Sequence, residues 1–241
     1  MPTDPGPCRW VLPDAAELPE GHELVAVGAD LAPATLLAGY RSGLFAMPDT
    51  GMLGWWSPDP RGVLRPARVH VSRSLRRALP RFEVSVDAAF ADVVAACADP
   101  QRPHGWISPD YERAYRALHG LGWAHSVEVW APDGSLAGGL FGVEVGGLFA
   151  AESKFHVRTD ASKVALVALA GVLSSDGDPR RLIDVQWRTE HLATLGVEEV
   201  SRVAYLRALP EALALPPALG AQPPAVGELA GPASRIRWRR A

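Results

Sequence analysis

The chain has 241 residues, of which 48% are hydrophobic and 21% charged. At about 150 residues per domain this means one or two domains with enough apolar material for a sizeable core, which excludes wholesale disorder. The 24 basic and 27 acidic side chains leave a net charge of −3, which excludes a bulk polycation and leaves any nucleic-acid contact to local clusters of charge.

The first twenty residues are rich in proline and acid and read as irregular. They lack the basic start and apolar stretch of a secretion signal. Residues 21–28 form a short apolar stretch. A helix then follows, with Asp30 as N-cap, Leu36, Leu37 and Tyr40 at helical spacing and Gly43 as its stop. Residues 46–62 hold prolines and glycines around Trp55 and Trp56 and read as loop. A small N-terminal domain over 1–65 is expected. Beyond it helices and strands alternate: a basic helix over 72–79, a strand over 82–86, helices over 88–97 and 109–118. Residues 126–131, the turn Asp133-Gly134 and the run from Leu136 make a hairpin, and residues 147–151 add a third strand. An apolar helix over 161–173, about half the length of a membrane span, precedes a buried strand over 182–187 and a helix from Glu190 closed by Gly196. Residues 209–241 read as a Pro/Ala-rich tail ending in the basic run RIRWRR.

Several chemistries are missing their signatures. There is no nucleophile elbow, no H-E-x-x-H zinc helix and no phosphate-binding P-loop. The cysteines, Cys8 and Cys97, do not form a C-x-x-C pair, and the histidines are scattered, so neither a metal nor a cofactor is expected.

Three features stand out. Seven arginines and no acid occupy residues 61–81, with Arg73, Arg76 and Arg77 on one helix face. Such a face suits phosphate oxygens; the alternative is a solvated face with Arg-rich usage. Trp55, Trp56 and Trp106 sit beside glycine or proline, where they can stack on unpaired bases or cap the core. Glu152 and Ser153 follow a strand, and Asp184 and Gln186 interrupt an apolar one, at a spacing that puts both on one face. Buried polar groups of this kind are either used chemically or paired with one another.

Taken in order, the segments GADL (28–31), WWSPDPRGVL (55–64), HVSRSLRR (70–77) and WISPDYERAYRALHGLGWAHSVEVW (106–130) resemble the leucyl/phenylalanyl-tRNA–protein transferase family. AGGLFGVEVGGLFAAESKF (137–155), ASKVAL (161–166), LIDVQW (182–187) and HLATLGVEEVSR (191–202) continue the resemblance over residues 25–205. It implies an α+β fold: a small N-terminal domain, then an N-acyltransferase-like (GNAT-like) domain over 66–208 whose mostly antiparallel sheet is flanked by helices. It implies transfer of Leu or Phe, with Met as a further donor, from aminoacyl-tRNA to the N-terminal Arg or Lys of acceptor proteins. The product is marked for degradation, and the enzyme is a cytoplasmic monomer without membrane contact.

The resemblance also assigns roles. Asp184, Gln186 and Glu152 are the catalytic set. Trp106 stacks on the terminal adenosine, and Leu140, Phe149, Phe155 and Ile183 wall the amino-acid pocket, with Tyr115 and Ser153 in the same substrate-binding group. From the basic run itself, Arg61, Arg65, Arg73, Arg76 and Arg77 are expected to contact tRNA. The chain departs from the family pattern in having Ala46-Met47 for Pro-Trp, Lys154 for Met and Val185 for Cys. Two other readings compete: an acyl-CoA-dependent N-acyltransferase, for which the pyrophosphate cradle is missing, and a non-catalytic RNA-binding module.

Overall fold

The computed structural model describes residues 1–19, 21–102, 105–219 and 231–239. In chain order it forms β1 (Leu24–Val27), α1 (Pro33–Arg41), β2 (Phe45–Asp49), β3 (Met52–Trp56), β4 (Arg61–Leu64), α2 (Arg73–Ala78), β5 (Glu83–Val86), α3 (Phe90–Cys97) and α4 (Pro109–Gly120). There follow β6 (Ala124–Trp130), β7 (Leu136–Val145), β8 (Leu148–His156), α5 (Ala161–Leu173), β9 (Leu182–Gln186), α6 (Glu190–Ala193), β10 (Glu198–Val200), α7 (Arg202–Leu213) and β11 (Arg237–Trp238).

The first three strands make an antiparallel sheet in the order β1-β3-β2. Residues 46–62, expected to be loop, hold the β2–β3 hairpin and β4. The hairpin closes through Thr50 and Gly51, both at positive φ, as a tight turn between twisted strands requires. Pro48 is tolerated because β2 lies at the edge of its sheet, where its missing N–H breaks no ladder. Asp30 does not occupy the cap position; Ala32 does. Asp30 instead accepts from Ala32 N and Thr35 Oγ1, two and five residues on.

The other eight strands form a mixed sheet, β10-β4-β9-β8-β7-β6-β5-β11, in which only the β8–β9 and β5–β11 pairings are parallel. The parallel β8–β9 pair requires a crossover, and α5 supplies it. Twelve of its thirteen residues are buried, because α5 packs on the sheet with further chain over its outer side. α1, α3 and α4 cover the opposite face of the sheet. With both faces covered, β7 is buried along almost its whole length, which is why it reads as a continuous apolar run.

The C-terminal segment departs most from expectation. β10 and α7 carry no strong local pattern. α7 is held through Arg202, whose buried guanidinium donates to the carbonyls of Leu18, Pro19, His22 and Ser57. The basic run near the end is not a solvated tail. Arg237 and Trp238 add to β5, and Arg239 lies 4.6 Å over the Trp130 ring. Residues 220–230 of the expected tail, and Arg240, lie outside the described residues.

One glycine fixes the centre of the sheet. Opposite Gly142, β8 carries an extra residue: Phe141 pairs with Ser153 and Gly142 with Ala151, which leaves Glu152 as a bulge. A Cβ on Gly142 would stand 2.2 Å from Ala150 O and 2.5 Å from the Phe149 ring. Gly142→Ala is therefore expected to lose at least the ~1–3 kcal/mol typical of overpacking, read as a lower urea midpoint. Gly120→Ala, at a helix end with open space around it, is expected to match or exceed the parent chain.

Candidate active site

β8 and β9 pair in parallel only through Leu148–Leu182, Phe149–Ile183 and Ala150–Asp184. Beyond that point they share no ladder, and a crevice of about 100 Å3 opens between them. Its lining combines apolar Leu140, Leu166, Val185 and Leu192 with polar Glu152, Ser153, Lys154 and Gln186.

Glu152 enters the crevice because it is the bulged residue of β8. Tyr40 of α1 donates to its Oε1 at 2.8 Å, and Tyr115 of α4 donates to its Oε2 at 2.6 Å. Burial pushes the Glu152 carboxyl up to about 7; the two tyrosine donors and Arg61 oppose that rise, and the charge on Asp184 adds to it. Burial and the neighbouring carboxylate hold Tyr40 and Tyr115 well above the usual phenol range, so both stay protonated donors.

Asp184 is 1% exposed and lies beneath the crevice rather than in it. Its Oδ1 accepts from Arg61 Nε (2.9 Å) and from the backbone N of Gln186 (3.0 Å). Its Oδ2 accepts from Arg61 Nη2 (2.6 Å) and Tyr205 Oη (2.9 Å). Arg61 is 1% exposed, donates also to Gly43 O, and is sandwiched between the rings of Phe45 and Tyr205. This corrects the placement of Arg61 among phosphate contacts: it is a buried structural partner with no surface for RNA.

Gln186 does not alternate with Asp184 along a regular strand. Its φ is +59°, and Trp187 N donates to Val185 O at 2.8 Å, which closes a γ-turn around it. A non-glycine residue at positive φ in such a turn is strained, and strain of this kind persists only where surrounding contacts impose it. Here Asp184 grips the Gln186 N–H, while the Trp187 indole donates to Glu23 and packs edge-on against Phe45. β4 leaves room for the turn because Gly62 stands opposite; a Cβ there would come within 2.8 Å of Arg188 N. The side chain is thereby turned into the crevice, and its buried Nε2 has no hydrogen-bond partner among the described residues. An unsatisfied buried amide is costly, so this donor is open to a partner from outside the described residues.

The other expected site residues divide. Leu140 and Ser153 line the crevice, and Tyr115 stands behind Glu152. Trp106 is half-buried and packs edge-on against Tyr111 and Tyr115. Phe155 lines a neighbouring groove. Phe149 and Ile183 show no exposed surface and fill the core, which corrects their placement as pocket walls. Arg65, Arg73, Arg76 and Arg77 are exposed; on α2 the last three stand opposite buried Leu75 and Ala78. Trp55 is buried with its indole donating to Gly28 O, so it caps the core and has no face for a base. Tyr40, Tyr205 and the pairing role of Arg61 escaped the sequence reading.

A family model described as leucyl/phenylalanyl-tRNA protein transferase matches residues 63–210, and a second, for the N-terminal domain of the same proteins, matches residues 29–59. The chain is similar to the leucyl/phenylalanyl-tRNA–protein transferase of Aromatoleum aromaticum, at 53% identity over 81% of this chain and 82% of that one. It is similar also to the transferases of the same name from Tolumonas auensis (50%, covering 80% and 83%) and Oleidesulfovibrio alaskensis (46%, covering 86% and 89%). With relatives of this name over four-fifths of its length, the chain is a transferase. The chain belongs to the leucyl/phenylalanyl-tRNA–protein transferase family.

The fold holds the Glu152 proton more tightly than an unfolded chain does. Its contribution to stability therefore falls as pH rises from the ordinary glutamate value of about 4.3 to about 7. Activity carried by the charged carboxyl runs the other way and is expected to fall as pH drops through about 7. Tyr115→Phe removes a donor to the carboxylate, so the inflection in the kcat/KM–pH profile should move upward. An inflection that stays in place would assign the titration to another group.

Proposed function

We propose that this chain transfers Leu or Phe, and also Met, from aminoacyl-tRNA to the N-terminal Arg or Lys of acceptor proteins, marking them for degradation. The observation that carries this reading is the meeting of Glu152 and Gln186, from different strands, in one apolar-walled crevice. In the same reading residues 1–65 form an N-terminal unit and residues 66–208 an N-acyltransferase-like catalytic unit. The chain works as a cytoplasmic monomer.

The chemistry asks little of the protein beyond placement. The acceptor's α-amine has a reference pKa of about 7.7–8.0, so a useful fraction is neutral near pH 7. Its nitrogen attacks the ester carbonyl carbon, the bond to the ribose oxygen breaks, and the amine proton ends on that oxygen. The ester is already activated, so no ATP is consumed. Holding amine and ester together can supply up to ~7–11 kcal/mol of the barrier.

Gln186 Nε2 is the available donor for the carbonyl oxygen, where negative charge develops. Asp184 acts through Gln186 and is a positioning residue. Glu152, when charged, holds a cation: the donor's ammonium or the acceptor's basic side chain. Leu140, Leu166 and Leu192 favour an apolar donor side chain but separate Leu, Met and Phe weakly, since one methylene is worth only ~1–3 kcal/mol. Trp106 stacks on the terminal adenosine, and the exposed arginines of α2, with Arg65, meet tRNA phosphates.

The test mixes the protein with Leu-, Phe- and Met-charged tRNA and peptides beginning with Arg, Lys or Ala. Transfer is expected to the Arg and Lys peptides and not to the Ala peptide. Asp184→Asn should lower kcat roughly 100-fold, the scale of losing one preorganised donor, with tRNA affinity nearly unchanged. Equal transfer to the Ala peptide, or a fully active Asp184→Asn chain, would contradict the reading.

A further inference from the structure

Beside the crevice lies a second, larger cavity of about 490 Å3, lined by Ala96, Asp99, Arg102, Lys154, Phe155, His156, Val157, Ser162 and His191. Lys154 lines both spaces. We propose that this groove is a phosphate subsite: it takes the 5′-phosphate of the terminal nucleotide of the donor RNA, the phosphate nearest the reacting ester. The proposal deepens the transferase reading and rests on it for the identity of the donor.

The Lys154 ammonium makes no hydrogen bond and no ion pair among the described residues, although the side chain is largely enclosed. Its neighbours are of the wrong sign. Arg102 lies alongside and donates to the Lys154 carbonyl at 2.7 Å, and His191 faces it from α6. Lys163 is already taken by Asp160 at 3.0 Å. Among the described residues Asp99 is the only acid in the groove lining, and its Oδ1 accepts from Gln101 N at 2.9 Å.

Two cations, Lys154 and Arg102, on a cavity with little counter-charge are costly unless an anion from outside completes the site, and the neutral His191 ring adds a further donor. Burial, then the neighbouring cations, hold both Lys154 and His191 below their ordinary pKa values, the expected response to such crowding.

The position of the groove selects the anion. It lies next to the crevice that receives the aminoacyl group, with Lys154 in the lining of both, and in a nucleic acid a phosphate lies one ribose away from that group. The acceptor protein is the weaker occupant, because its terminal Arg or Lys would be repelled by Arg102 and Lys154. Ser162 at the N-terminal turn of α5 adds a hydroxyl to the lining, 3.3 Å from Nδ1 of His156.

The test uses a stable amide analogue, phenylalanyl-3′-amino-adenosine, prepared with and without a 5′-phosphate. Calorimetry compares the two on the full chain, on Lys154→Met and on His191→Gln, with circular dichroism confirming that each variant is folded. The phosphate is expected to tighten binding about tenfold to the parent chain and not at all to Lys154→Met, with an intermediate gain for His191→Gln. Against full-length aminoacyl-tRNA, Lys154→Met should flatten the log–log salt dependence of binding by about 0.7, the value for one single-strand phosphate.

A phosphate gain absent from the parent chain, or kept in Lys154→Met, overturns the proposal. So does a preference for acidic acceptor peptides that disappears in Lys154→Met, which would give the groove to the protein substrate. Because binding is read without turnover, failure of the transfer assay and failure of this site are separate results.

Discussion

The buried pair between Arg61 and Asp184 is the constraint on which the site depends. Neither side chain reaches solvent, and every donor and acceptor at their junction is engaged by β4, β9, α7 or the segment before β2. Removing one member of such a pair typically costs ~3–5 kcal/mol, because the other charge is left buried and alone. A pair this costly to break fixes geometry. It ties the small sheet, the large sheet and the C-terminal helix to one carboxylate, and that carboxylate holds the backbone of Gln186.

From this anchor the rest of the crevice follows by displacement from ideal strands. Glu152 is the extra residue in a bulge on β8, and Val185 is skipped where β9 meets β4. Each irregularity turns a polar side chain out of the alternation that would otherwise bury it. Glycines on the neighbouring strands, Gly142 and Gly62, make the space. The outcome is one carboxyl whose pKa burial raises to about 7 against two tyrosine donors, and one amide without a partner among the described residues. These are the two things an ester aminolysis needs held still: a place for a cation and a donor at the carbonyl.

Much of the large sheet was legible because its signals are local. The Asp133-Gly134 turn between two alternating runs, the apolar α5 and the short apolar β9 are each set by a few neighbouring residues. The β2–β3 hairpin was hidden because proline and glycine mark both loops and edge hairpins. Asp184, Gln186 and Glu152 stood out as polar breaks in apolar strands, but their geometry did not. A bulge depends on the partner strand, and the γ-turn depends on a carboxylate held by Arg61, 123 residues away in sequence. For the same reason Arg61 looked like one more member of a basic run; its partner lies beyond any local pattern. Phe149 and Ile183 sit on crevice-forming strands but on positions that face the core, a distinction that only the bulged register decides.

The central claim is that the Asp184-held turn presents the Gln186 amide to the reacting carbonyl. A crystal structure with a non-hydrolysable leucyl-3′-amino-adenosine tests it most directly. The account predicts the leucyl side chain between Leu140 and Leu192 and Gln186 Nε2 within about 3 Å of the acyl oxygen, with the Asp184–Arg61 pair intact. An analogue bound outside the crevice, or a Gln186 amide turned away from its carbonyl, would contradict it.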